Sequence, residues 1–155
     1  MSPWKKESAY LHLPSYLAGV IFHIGTFISF FWVIVHALGG SMPGSLEQVS
    51  LFALIVTTAC GLGIFIKRIT LAKLRLISTP DDYFSNLLVT VFQGVSAAAL
   101  TQGSLIPSLL GYTGFLLLYI PMSKLRHAFY FFLARFYLGV FYGKRGVWHR
   151  RNLPV

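Results

Sequence analysis

The sequence predicts an all-α integral membrane protein: a bundle of four transmembrane helices with both termini cytoplasmic. Three observations carry that prediction. Of the 155 residues, 55% are hydrophobic and only 11% are charged, whereas a soluble domain carries roughly 25% charged residues. The mean hydropathy is +0.68. The net charge of +9 is also unevenly placed. Its basic residues fall at Lys5 and Lys6, at Lys67, Arg68, Lys73 and Arg75, and between Lys124 and Arg151, with long apolar stretches separating the groups. Basic residues confined to alternate connections are the mark of cytoplasmic loops, and the pattern argues against nucleic acid as a partner.

Each span follows from hydropathy and its flanks. The whole chain, 1–155, reads as one membrane domain, with spans at about 16–38, 49–66, 84–102 and 106–130 and a basic tail over 131–155. A bilayer needs about 20 apolar residues per helix. The first span is ample, while the second and third are short and are expected to stand nearly upright. GGSMPGS after the first span is turn-rich and lacks Lys and Arg, as does TQGSLIPS after the third. The second connection is basic and ends in Thr79-Pro80-Asp81-Asp82, good N-cap and first-turn chemistry for the third helix. Every Lys and Arg then lies on one side. Lys5 and Lys6 before an apolar run resemble the start of a signal peptide, but the run exceeds the roughly 7–15 residues of such a segment. The single cysteine, Cys60, excludes a disulfide framework and a cysteine-held iron–sulfur cluster.

Five histidines are the candidates for chemistry: His12, His23, His36, His127 and His149. His12 and His149 fall outside the spans and read as solvated or interfacial. His23 lies about eight residues into the first predicted helix, roughly 10–12 Å below the cytoplasmic edge at 1.5 Å per residue. A buried neutral imidazole there needs partners for both nitrogens, and an iron ion is one way to occupy one. His127 falls near the cytoplasmic end of the fourth predicted helix, in the same half of the membrane but shallower. Two imidazoles on facing helices are a common axial pair for a haem b. Gly19 and Thr26 share the face of His23 and leave room for a flat ring, while Lys124 and Arg126 suit its propionates. The alternative is a His23 hydrogen-bonded to a neighbouring hydroxyl, with His127, Lys124 and Arg126 snorkelling to the headgroups. Spacing alone leaves both readings open.

Two segments carry a resemblance. IFHIGTFISFFWVIVHALGG resembles the second helix of the gamma subunit of respiratory nitrate reductases, in which a Phe-His-x-Gly segment holds a haem ligand. PMSKLRH resembles the end of that family's last helix, and the basic loop leading into ISTPDDYFSNLL is similar to one in related haem b subunits of sulfite-reductase-associated and heterodisulfide-reductase-like membrane complexes. The resemblance runs from about Leu11 to Phe136. It implies one bis-histidine haem b with His23 and His127 as iron ligands. The family's second haem would need histidines where this chain has Val33 and Leu109, so both ligands of that haem are missing together. His36 departs from the pattern. It lies thirteen residues after His23, about 140° around the helix, and reads as an interfacial polar residue, a quinone contact, or a haem ligand completed by a partner subunit.

These readings imply a membrane-anchoring, quinone-linked electron-transfer subunit in the cell's inner (cytoplasmic) membrane, and not a complete enzyme. Its expected partners are membrane lipid, quinone or quinol, and an iron–sulfur or multihaem subunit. Lys67, Arg68, Lys73 and Tyr83 at one edge and His36 and Gln102 at the other are candidate quinone contacts. The competing class is a haem-free membrane anchor or assembly subunit. The aromatic, basic run FYFFLARFYLGVFY reads equally as a docking surface for the partner and as a helix lying along the membrane.

Overall fold

In the computed structural model, which describes residues 13–146, the chain is helical almost throughout and no strand occurs among the described residues. Six α-helices follow in order: α1 (Leu13–Ala37), α2 (Gly44–Thr70), the short α3 (Ala72–Ile77), α4 (Pro80–Thr101), α5 (Ile106–Tyr119) and α6 (His127–Arg145). Four stretches are long and apolar enough to cross a membrane: Leu13–Ala37, Gly44–Thr70, Pro80–Thr101 and Gly103–Met122. The chain is therefore the four-helix, all-α membrane protein that hydropathy predicts. Four crossings return the chain to its starting end, which also holds α3, Lys67, Arg68 and Lys124. This is the basic end of the bundle.

The element boundaries differ from expectation in two places. The second and third spans are not short, since α2 has 27 residues and α4 has 22. Their polar ends, including Glu47, Lys67, Arg68, Asp81 and Asp82, are helical although hydropathy trims them away. The fourth span does not reach residue 130. It tightens into a 3-10 turn at Ile120–Met122 and stops at Ser123, whose backbone is extended at φ −115°, ψ 177°. Hydropathy misses this break because apolar residues continue on its far side, and α6 is a separate helix whose described side chains are all exposed. His127 accordingly opens α6 and does not close the fourth span. His12 and His149, with Lys5, Lys6 and the end of the basic tail, lie outside the described residues.

The interior mixes small polar side chains with apolar ones. Gln93, Ser29, Ser96, Thr57 and Thr90 are buried, while Phe27, Val49, Phe52 and Leu118 point outward. In lipid there is no hydrophobic drive to bring helices together, so close backbone approach and interhelical hydrogen bonds do it instead. Gln93 Nε2 donates to the carbonyl of Phe22 at 2.8 Å and to Thr26 Oγ1 at 3.0 Å, tying α4 to α1. Gly25 lets α1 meet α2 and α4, since a Cβ there would collide with Thr57 and with Gln93 Oε1. At Gly61 on α2, a Cβ would lie 2.6 Å from Thr90 Oγ1 and 2.5 Å from the ring of Phe22. α5 closes the bundle through an apolar cluster of Val33, Phe92, Ala99, Leu109, Leu116 and Ile120. Phe92 stacks on Tyr112 there, with the ring planes 11° apart.

Candidate functional site: a cleft at the basic end

Where α1, α2 and α4 spread at the basic end, they leave a cleft of about 1100 Å³, roofed in part by Lys124, Leu125 and His127. Ligand pockets typically measure about 300–1,000 Å³, so this one admits a large flat group. His23 and His127 both line it. So does Gly19, one turn before His23, and no atom lies within 4 Å of where its Cβ would stand. The absent side chain widens the cleft. Thr26 does not share this role, being turned into the bundle and held by Gln93.

The two imidazoles are fixed in the same way. His23 Nδ1 donates to the carbonyl of Gly19 at 2.7 Å, and His127 Nδ1 donates to the carbonyl of Lys124. A carbonyl can only accept, so both Nδ1 atoms carry a proton, and in the neutral imidazole it is Nε2 that keeps the lone pair. Metal-ligating histidines are held in this manner, with one ring nitrogen bonded to a backbone carbonyl or carboxylate and the other free for the metal. His23 is exposed along the cleft wall, contrary to the buried imidazole expected from its position.

A set of bonds around two carboxylates determines where His127 sits. Asp82 caps α4 by accepting from the Thr79 backbone N–H at 2.8 Å and from the Thr79 hydroxyl at 3.0 Å. It also pairs with Lys124 at 2.8 Å and with Arg68 at 3.3 Å. Asp81 accepts from the Tyr119 hydroxyl at 2.7 Å and from the Lys124 backbone N–H at 2.7 Å. Lys124 therefore links the network: its N–H holds Asp81, its ammonium holds Asp82, and its carbonyl holds His127. The sequence reading took Asp81 and Asp82 only as helix-capping groups and missed this function. Their partners lie 38 to 43 residues away, and local sequence carries no signal for such pairs.

The cleft wall is cationic, with Lys67, Arg68, Lys73 and Lys124 against the single carboxylate Asp82. Lys67 donates to Ser15 on α1, and Arg68 also reaches Ser78 at 3.5 Å. Lys73 has no ion pair among the described residues. Asn86 also lines the cleft, and its buried Oδ1 has no hydrogen-bond partner. Arg126 and Tyr83 are outside the lining, with the Tyr83 ring edge-on to Phe65 at 6.3 Å. Gln102 lies at the far end of the bundle, where α4 stops.

His36 is also at that far end, in the last turn of α1. Its ring lies 5.6 Å from that of Trp32, and its buried Nε2 has no partner. Val33 and Leu109 occupy the positions where the resemblance places a second histidine pair. Both are packed into the apolar cluster, at 9% and 0% exposure. No group of three or more His, Cys, Asp or Glu side chains could hold a bare metal ion among the described residues. In comparisons with family models, curated proteins and solved structures, none matches this chain.

Proposed function

We propose that the chain is a membrane-anchoring cytochrome b subunit that holds one haem b in the basic-end cleft. It would pass electrons between the quinone pool and an iron–sulfur or multihaem partner at the inner membrane. The observation that carries this reading is the pair His23 and His127. They line one cleft, and each has Nδ1 tied to a backbone carbonyl and Nε2 left free. The donor set fits haem: two imidazoles, an open glycine wall and surrounding cations.

Each group has a definable task in that reading. The Gly19 carbonyl sets the rotation of the His23 ring, and the Lys124 carbonyl does the same for His127, so both offer Nε2 without a reorganisation cost. Lys67 and Lys73 supply positive charge for propionates, with Lys73 better placed than Lys124, which is shared with Asp82. Apolar lining residues such as Phe22, Leu74 and Leu125 suit the faces of a haem. When bound, haem supplies the one-electron chemistry that no side chain here can supply. The apolar packing of Val33 and Leu109 favours a single haem over two. At the far end, the unpartnered Nε2 of His36 favours a hydrogen bond to a quinone carbonyl.

The haem-free anchor is the competing reading, and the Asp82–Lys124–Arg68 set favours it because those charges are satisfied without a cofactor. A dithionite-reduced minus oxidised spectrum of the purified chain separates the two. We expect a low-spin b-type band that a short-chain quinol also produces. A chain without that band is an anchor.

A further inference from the structure

The basic end carries a helix whose described side chains are all exposed. α6 runs 19 residues, about 28 Å at 1.5 Å per residue. At about 100° per residue its side chains separate into two faces. Phe129, Phe132, Leu133, Phe136 and Val140 form one stripe without a charge. Tyr130, Arg135, Tyr137, Tyr142, Lys144 and Arg145 lie on the remaining arc. Phe131, Leu138 and Phe141 also fall on that arc, and each of the two phenylalanines is covered by an arginine. Arg135 sits 5.4 Å from the Phe131 ring centre and Arg145 4.2 Å from that of Phe141.

We infer that α6 is a membrane-surface helix that binds the anionic headgroups of the leaflet at the basic end. Three further observations select lipid over a protein partner. No acidic residue occurs after Asp82, so all charge on this helix has one sign. The Asp81–Lys124 bond ties the turn that leads into α6 to the start of α4, at the basic end of the bundle. α3 repeats the arrangement at the same end, with Leu76 and Ile77 at 87% and 77% exposure beside Lys73 and Arg75 and no buried residue. Apolar side chains below, tyrosines and arginines at headgroup level, and attraction to anionic lipid are what hold such helices in the interface. This inference does not depend on the occupant of the cleft.

The test is nitroxide scanning of the full chain in phosphatidylcholine vesicles with and without about 30% phosphatidylglycerol. Single cysteines would be introduced in a Cys60→Ala background. We expect Phe129→Cys, Leu133→Cys, Phe136→Cys and Val140→Cys labels to be open to oxygen and shielded from a water-soluble nickel chelate. Tyr130→Cys, Tyr137→Cys and Lys144→Cys labels should show the reverse. Phosphatidylglycerol should deepen the first set, and Arg135→Glu with Arg145→Glu should remove that shift. Amide exchange of the unlabelled chain over residues 129–143 should slow on phosphatidylglycerol in parallel. Nickel access at every position would put the helix in water. Uniform oxygen access would make it a fifth span, and shielding of the first set from both reagents would mean a protein covers it. Any of these, or depth indifferent to phosphatidylglycerol, overturns the proposal.

Discussion

At the scale of single residues, Lys124 joins both carboxylates of the basic end to His127 through its backbone and its ammonium. Its three bonds run to Asp81, to Asp82 and to the imidazole of His127. Lys124→Met should keep the Asp81 bond, which uses the backbone, and lose only the Asp82 pair. Asp81→Leu is more severe, because the Tyr119 hydroxyl and the Lys124 N–H both lose their acceptor. The expected cost is on the order of 1–3 kcal/mol, since hydrogen bonds to charged groups fall in that range. It would be read as a lower unfolding midpoint in detergent, with Lys124→Met shifting it less. The histidines were legible in the sequence as residue types at plausible depths, and so was the capping role of Thr79 and Asp82. The Nδ1 bonds and the long-range partners of Asp81 and Asp82 were not, because they depend on how separate helices meet.

At the scale of elements, two glycines and a glutamine decide how tightly the helices pack. Gly61→Leu would drive a side chain into Phe22 and Thr90, and overpacking of this kind costs roughly 1–3 kcal/mol or more. Gly63→Leu, two residues on and with open space around it, should leave stability nearly unchanged. Comparing the two in a detergent melting experiment tests whether close approach at Gly61 holds α1, α2 and α4 together. The apolar cluster makes a second prediction. Val33→His with Leu109→His restores the residue types of a second haem site but not its space, so no second haem should be taken up on reconstitution. Four spans were legible from hydropathy because lipid imposes the pattern directly. The break at Ser123 was not, since Phe129 to Phe136 are as apolar as a span. Pro121 and Ser123 were its only local signals.

At the scale of the whole molecule, the arrangement is consistent from one end to the other. Glycines and small polar groups let the helices meet, an apolar cluster closes the bundle, and Lys67, Arg68, Lys73 and Lys124 gather at a single end around a cleft. The far end carries no such charge and holds His36 beside Trp32. Composition and charge placement made this polarity readable before any coordinates, because membrane insertion sorts basic residues by side. The cleft itself was not readable, since it arises where helices diverge. The central claim is that one cleft and one histidine pair hold one haem. Its most direct test is pyridine haemochrome quantification of the purified full chain, beside His23→Ala and His127→Ala. The account predicts one haem b per chain, lost in both variants. Two haems per chain, none, or full retention in either variant would contradict it.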